Sequence, residues 1–209
     1  VARITRGTLR LRRETLDVRE VVERAVQSVA PLVATKRHEL RVEISPQPVM
    51  IHGDPVRLEQ VITNLLDNAA KYTPEGGHLS VRLAQEGSEA QPRAVLSVRD
   101  DGPGVSPQVR GRMFELFSRG DGALESGVAG FGVGLALCRQ LVELHGGTIS
   151  LRPGGPGGGS HFVVDLPATK EERKEAAAAA PRSGRMARNV LIVEDNADAA
   201  ASLVLMLRA

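Results

Sequence analysis

Aromatic residues are nearly absent from this chain. Among its 209 residues there are four Phe, one Tyr and no Trp. The hydrophobic core must therefore be aliphatic, and a 42% share of apolar residues is enough to build one. The scarcity of rings also leaves few side chains on which nucleic-acid bases could stack, and the net charge is only +2 with the arginines dispersed. Composition therefore argues against nucleic-acid binding.

Cysteine and long apolar runs are also lacking. The single Cys excludes a disulfide framework within the chain and fits a reducing compartment. No apolar run approaches the roughly 20 residues of a membrane-spanning helix, and the first residues lack the apolar segment of a signal peptide. We therefore expect a cytoplasmic chain that makes no membrane contact itself.

Changes in composition divide the chain into four regions. Residues 1–16 are basic and are expected to be the tail of an upstream region. Residues 17–167 carry helix and strand patterns throughout and should form one domain. Residues 168–188 are charged, then alanine-rich, then rich in Pro, Ser and Gly, which is typical of a linker. Residues 189–209 begin like a buried strand but are too few to complete a domain, so we expect a truncated one.

Local signals predict the elements of the 17–167 region. Asp17 should cap a first helix, with Glu20 completing a capping box. Asp54-Pro55 should begin a second helix that ends at Tyr72, before Thr-Pro. A third helix is expected from Gly134 to His145. Expected strands are 40–44 with 49–51 as its short partner, 79–83 and 95–99 joined by a polar connection, and 148–152 and 161–166.

The second helix carries a polar column beside its apolar stripe. Asn64, Asn68 and Lys71 fall within a sector of roughly 60°, and Tyr72 lies nearby at the helix end. Carboxamide oxygens suit a hard cation such as Mg²⁺, and a Lys suits phosphate oxygens. Taken alone, the column is also compatible with an ordinary solvated face.

Two glycine-rich segments have ligand-binding features. Asp100-Asp-Gly-Pro-Gly follows a strand directly, so its acid could accept a hydrogen bond from an exocyclic amine, although the same residues form plain turns. Gly130-Phe-Gly-Val-Gly leads into a helix, whose free amides favour an anion. The dinucleotide fingerprint fails because Leu135 stands where its last Gly belongs, and the P-loop spacing fails too.

Together these segments resemble the catalytic ATP-binding domain of sensor histidine kinases, within the superfamily of gyrase, heat-shock protein 90 and MutL. The resemblance covers about residues 17–167 and follows the family order. It implies a two-layer α/β (α+β) sandwich, a mixed sheet covered on one face by helices. The matching segments are an N box at 64–73, a first glycine box at 100–104, an F box at 113–119, a second glycine box at 130–136 and a closing one at 158–162.

The resemblance also implies roles for individual residues. Asn64, with Asn68, would hold the Mg²⁺ that accompanies ATP, Asp100 would accept from the adenine amine, and Arg119 would reach the γ-phosphate. Residues 118–131 would form a mobile lid. The implied catalytic residues are Asn64, Lys71 and Arg119, and the implied nucleotide contacts are Asn64, Asn68, Lys71, Tyr72, Asp100, Gly102, Gly104, Phe117, Gly130, Gly132, Gly134, Leu135 and Ser160.

The implied activity is transfer of the ATP γ-phosphate to a histidine on a dimerisation domain that lies outside this chain, and the resemblance implies a homodimeric full-length protein. Superfamily ATPases carry a Glu four residues before the second N-box Asn, where this chain has Asn64, so a kinase is favoured. Glu59, one turn earlier, keeps an ATP-hydrolysing switch open as an alternative. A nucleotide-sensing module without chemistry is a third possibility.

The segment NVLIVEDN at 189–196 resembles the first strand of a response-regulator receiver domain. By that resemblance Glu194 and Asp195 would hold the Mg²⁺ beside an acceptor Asp that lies further along. The chain would then belong to a hybrid kinase, and its partners would be the histidine-bearing domain and a receiver. A capped strand-helix turn is the plainer interpretation of the same residues.

His38 begins the tetrapeptide HELR, which often opens the phospho-acceptor signature of the same family. The signature continues with Thr or Asn and then Pro, whereas Val42 and Glu43 follow here. Only about 25 residues separate His38 from Asn64, too few for a helical hairpin and the first elements of the ATP domain. We therefore expect that His38 is not the acceptor and that the acceptor histidine lies outside this chain.

Overall fold

A computed structural model describes residues 10–115, 133–154 and 158–170. All of these residues belong to one compact unit. Within these ranges, no helix is both long and apolar enough to cross a membrane.

Two long helices are defined by their caps, as the sequence predicted. Helix α1 spans Val18–Thr35, and the Asp17 carboxylate accepts a hydrogen bond from Arg19 N at its start. Helix α2 spans Pro55–Tyr72, and Asp54 accepts from the amides of Val56 and Arg57. The Asp54 carboxylate also accepts from Arg12 N at 2.8 Å, and these three backbone hydrogen bonds lower its pKa against the effect of burial.

Most of the other described elements form a five-stranded mixed sheet and two shorter helices. The strand order is β2-β4-β5-β7-β6, in which β2 and β4 are parallel and the other neighbours are antiparallel. The strands are β2 Glu39–Ile44, β4 His78–Ser88, β5 Gln91–Asp100, β6 Thr148–Pro153 and β7 Ser160–Pro167, and the helices are α3 Pro107–Arg110 and α4 Gly134–Leu144.

One strand pairing differs from the prediction. Strand β3, Met50–Gly53, does not pair with β2; it pairs antiparallel with β1, Glu14–Asp17. β2 pairs instead with β4. Residues 14–16, expected in an upstream tail, therefore lie in a small separate sheet, where Leu16 is buried in the core.

The β4–β5 hairpin is longer than predicted. The polar segment between the two expected strands continues the ladder as far as Ser88 and Gln91. Its outer end is exposed, so it shows no apolar alternation, but polar cross-strand partners such as Glu86 and Arg93 suit a solvated two-stranded ribbon.

The predicted two-layer sandwich with an aliphatic core is confirmed. Buried residues alternate along the central strands, for example Leu79, Val81 and Leu83 in β4, so that face of the sheet is covered. The covering residues come from α1, α2 and α4, with Val22, Leu66 and Leu141 among those fully buried. The α2 stripe that packs inward leaves Asn64 and Asn68 half-buried at its edge.

Candidate functional site

Three segments that are distant in sequence meet beside the end of α2. Thr73, the residue after α2, contacts the turn that follows β5 at Gly102. That turn in turn packs against the residues before β7, where Gly159 lies against Gly104. The N-box end, the first glycine segment and the closing glycine segment are therefore adjacent in the structure.

Asp100 lies at the centre of this junction. Its side chain is buried, with 6% of the residue exposed, and its Oδ1 atom accepts from Gly102 N at 3.0 Å and Ser160 N at 3.1 Å. Burial raises the pKa of the carboxyl, and the hydrogen bonds from Ser160 and Gly102 oppose that rise. A buried carboxylate with an oriented Oδ1 is suited to accept a hydrogen bond from a ligand amine.

The glycines around Asp100 leave no room for side chains. A Cβ at Gly159 would overlap the Asp100 carbonyl. A Cβ at Gly102 would lie 3.0 Å from Asp100 Oδ1 and 3.2 Å from Thr73 Oγ1. Gly104 has a φ of +73°, a conformation that favours glycine. These residues form a close-packed backbone cradle that brings the chain directly to the carboxylate.

Thr73 contributes a feature that sequence reasoning missed. The residue is 1% exposed, and its Oγ1 atom has no hydrogen-bond partner among the residues that the structure describes. A buried hydroxyl without a partner is costly, and here it lies next to Gly102 and Asp100. A polar ligand edge at Asp100 would supply the missing partner, so the junction fits a polar heterocycle.

Asn64 faces helix α4. A hydrogen bond joins its side chain to the thiol of Cys138, which also donates to Val61 O at 3.8 Å. Burial raises the pKa of this thiol to about 12, so it stays protonated and unreactive. Asn64 is therefore held near the first turns of α4, the helix that begins at Gly134 and Leu135 as predicted.

The rest of the polar column is only partly as expected. Lys71 Nζ donates to Asp67 Oδ2 at 2.5 Å. The ammonium group that was expected to bind phosphate is therefore paired with a carboxylate. The four-residue spacing between Asp67 and Lys71 is typical of an ion pair on a helix, so this contact could have been predicted from the sequence. Asn68 is half-buried and Tyr72 is exposed at the helix end, so both can reach a ligand from the solvent side.

Several predicted residues lie outside the described part of the chain. They are Phe117, Arg119, Gly130, Gly132, Glu194 and Asp195. Their assigned roles stay predictions. Within the described ranges, no group of three or more His, Cys, Asp or Glu side chains could hold a metal ion, so a protein-bound metal there would depend on amide oxygens such as that of Asn64.

Asp101, next to Asp100, forms an exposed ion pair with His78 at the start of β4. Its two oxygens accept from His78 N and from His78 Nδ1, both at 2.8 Å. The hydrogen bonds to His78 lower the pKa of Asp101, and the bond to Asp101 raises the pKa of His78. The pair ties the strand after α2 to the turn that carries the cradle.

This pair predicts a pH dependence of stability. The contribution of the pair to the free energy of unfolding should be present at pH values between the lowered pKa of Asp101 and the ordinary pKa of His. It should disappear as the pH rises through the raised pKa of His78. Thermal unfolding of the chain and of His78→Gln, from about pH 5.5 to about pH 9, measures it. The difference between the two melting temperatures should shrink toward the alkaline end; a constant difference would contradict the pair.

Comparison with known proteins identifies the family. Residues 53–170 match the family model described as Histidine kinase-, DNA gyrase B-, and HSP90-like ATPase. The chain belongs to this family of ATP-binding domains. The family match contains α2, the Asp100 cradle and α4, so it covers the whole junction described above.

Individual proteins and solved structures are also similar to this chain. The chain is 37% identical over 156 residues, 72% of its length and 30% of the relative, to the signal transduction histidine-protein kinase/phosphatase MprB of Mycolicibacterium vanbaalenii. A solved structure of mycobacterial MprB has a TM-score of 0.64 at 33% identity, covering 75% of this chain and 97% of that one. Full-length ShkA in complex with AMPPNP has a TM-score of 0.66 at 29% identity, covering 82% and 34%. The chain spans less than a third of the length of the curated relatives it matches.

Proposed function

We propose that this chain is the ATP-binding catalytic domain of a protein histidine kinase, which donates the γ-phosphate of ATP to a histidine on a separate dimerisation domain. The observation that carries the proposal is the Asp100 junction, a buried carboxylate in a glycine cradle. Beside it lies the Thr73 hydroxyl, which has no hydrogen-bond partner in the described part of the chain. The similarity to proteins named as histidine kinases supports a histidine as the phospho-acceptor.

Asp100 would select adenine. An ionised carboxylate only accepts hydrogen bonds, so it favours the exocyclic amine of adenine over the carbonyl at the same position of guanine. Because Gly102 N and Ser160 N already fix Oδ1, the carboxylate cannot rotate away from the ligand. The Thr73 hydroxyl can donate or accept, and it would bond the adjacent edge of the ring.

Asn64 and Asn68 would hold the Mg²⁺ that accompanies the triphosphate. Their amide oxygens suit this hard cation, and both are half-buried on the same side of α2. When bound, the ion neutralises phosphate charge and orients the γ-phosphate for transfer. Lys71 would bind phosphate oxygens from its position beside Asp67, which keeps the ammonium at the site before the nucleotide arrives.

Glu59 argues against the hydrolytic alternative. Its Oε2 accepts from Arg24 Nε at 2.9 Å, which ties the carboxylate to α1. Five residues before Asn64, it also lies about 140° away around the helix. A carboxylate in that position cannot activate a water molecule at a phosphate bound by the Asn64 face.

We therefore expect Glu59→Gln to leave phosphate release from ATP unchanged. Release would be followed with a coupled phosphate assay on the chain alone, with Arg24→Gln as the control for the loss of the ion pair. A fall in the rate that is specific to Glu59→Gln would favour an ATPase switch. Bound ATP that stays intact even with a histidine domain would instead favour a non-catalytic sensor.

We also propose that the chain comes from a hybrid kinase. The support is the resemblance of residues 189–196 to a receiver strand, with Glu194 and Asp195 as its acidic pair. Phosphate would then pass from the histidine to an aspartate further along the same protein. Attachment of a complete receiver domain should move label from phosphohistidine to an acid-stable, hydroxylamine-labile acyl phosphate; label that remains on histidine would contradict the hybrid arrangement.

Phosphotransfer in trans tests the proposed activity. The chain would be mixed with a dimeric histidine-bearing helix pair from a related kinase, Mg²⁺ and γ-labelled ATP. We expect acid-labile label on the histidine domain, dependent on both Mg²⁺ and the chain. Tight ATP binding without any transfer to several such acceptors would contradict the kinase assignment.

A further inference from the structure

The proline that follows α2 leaves one backbone carbonyl at the end of the helix without its helical hydrogen-bond donor. Thr73 N donates to Ala69 O at 3.1 Å, which is the last bond of the regular helix. The next carbonyl belongs to Ala70, and its partner would be the amide of residue 74. That residue is Pro74, which has no N–H. Because Ala70 is fully buried, water cannot replace the missing donor.

His38 supplies the missing hydrogen bond. Its Nε2 atom lies 2.9 Å from Ala70 O. A carbonyl can only accept, so Nε2 must carry the proton and the bond runs from the imidazole to the helix end. The residue is 7% exposed, and its Nδ1 atom has no hydrogen-bond partner among the described residues. The ring therefore makes its hydrogen bond to α2 and is not presented as a phospho-acceptor.

The residues before His38 hold the same helix end. Lys36 Nζ donates to Lys71 O at 2.8 Å, and Lys36 O accepts from Gly76 N at 2.9 Å. Arg37 adopts a left-handed conformation with a φ of +54°, which turns the chain between the two contacts. Residues 36–38, which we call the α1–β2 clamp, thus bind both the last carbonyls of α2 and the loop after it.

The end of α2, which the α1–β2 clamp contacts, also carries residues of the proposed nucleotide site. Lys71, Tyr72 and Thr73 directly follow Ala70, and Thr73 contacts the Asp100 cradle. We propose that His38 is a positioning residue for nucleotide binding: its bond to Ala70 O fixes the direction in which Lys71 and Thr73 leave the helix. This inference rests on the proposed function, because it assigns the clamp to the same nucleotide site.

Matched variants of the 209-residue chain separate positioning from simple stability. His38→Ala removes the hydrogen bond to Ala70 O. His38→Asn keeps a polar amide, but its side chain is too short to place an N–H where Nε2 lies. His38→Gln is long enough to place an amide N–H at that position. Val29→Ala, a buried residue two turns back in α1, is the control for lost packing. The dissociation constant of Mg-ATP would be measured by calorimetry at a temperature where circular dichroism shows every variant folded.

We expect a roughly tenfold higher dissociation constant for His38→Ala and His38→Asn, since small displacements of positioned groups weaken ligand contacts strongly. His38→Gln and Val29→Ala should stay within about twofold of the unmodified chain. Unchanged affinity of His38→Ala, or equal weakening by Val29→Ala, would overturn the positioning role. Failure of His38→Gln to rescue would also overturn it.

Two further results keep the inference distinct from the proposed function. An unmodified chain that binds no Mg-ATP overturns the nucleotide site itself, whereas normal binding with an insensitive His38 overturns only the clamp. Nitrogen-15 shifts of the His38 imidazole test the geometry without any ligand. They should show a protonated Nε2 and a bare Nδ1, and the opposite tautomer would contradict the bond to Ala70 O.

Discussion

Asp100→Asn should abolish tight ATP binding and at the same time raise the melting temperature of the ligand-free chain. The Asn Oδ1 can keep the bonds from Gly102 N and Ser160 N, so the cradle is preserved. Burial raises the pKa of Asp100, so its ionised form costs folding free energy at neutral pH, and the amide removes that cost. The amide NH₂, however, would face the adenine amine donor to donor.

We expect at least about a hundredfold weaker ATP binding, because the loss of a charged acceptor leaves a buried donor unpaired. Melting temperature should rise by roughly 2–4 °C per ~1 kcal/mol gained. Asp101→Asn is the control, since its carboxylate is exposed and pairs with His78. That control should bind ATP normally. A variant at Asp100 that loses stability and keeps ATP affinity would contradict the assignment of the adenine site.

Asn68→Asp should eliminate phosphotransfer in the trans assay. The change replaces a half-buried neutral amide by a carboxylate on the α2 face that would bind the triphosphate and its Mg²⁺. The added charge repels the phosphates, and a second anion beside Asp67 competes for Lys71. We expect a transfer rate lower by at least about a hundredfold, with the helix intact by circular dichroism.

Gln60→Glu provides the matched control for Asn68→Asp. It makes the same amide-to-carboxylate change on the same face of α2, about 12 Å nearer the start of the helix. Gln60 Oε1 accepts from Arg57, which would stabilise the new charge. Transfer by this control should stay near that of the unmodified chain. An equal loss of phosphotransfer in both variants would mean that a negative charge anywhere on α2 impairs transfer and that Asn68 has no specific role in it.

Helix bounds were predictable because both ends are determined by neighbouring residues. Asp54-Pro55 and Tyr72-Thr-Pro gave the limits of α2 directly, and the structure agrees with them. Strand β1 was missed because its partner, β3, is far away in the chain and its four residues show little alternation. Pairing between distant strands depends on tertiary packing, which a local pattern does not contain.

The site was predictable as a set of motifs but not as a set of contacts. Spacing on α2 made Asn64 and Asn68 candidate site residues, and the position at a strand end made Asp100 one. The burial of the Thr73 hydroxyl and the bond from His38 to Ala70 O depend on how Pro74 ends the helix against another element. The sequence placed His38 outside the phospho-acceptor signature, and only the packed structure shows what its imidazole binds.

Binding of Mg-ATP at the Asp100 junction can be measured by calorimetric titration of the 209-residue chain. Mg-ATP and Mg-GTP would be titrated in parallel, each with and without a chelator. We expect one ATP site per chain, a strong preference for ATP over GTP that comes from the Asp100 carboxylate, and weaker binding once Mg²⁺ is removed. Equal affinity for the two nucleotides, or no heat with Mg-ATP, would contradict this expectation.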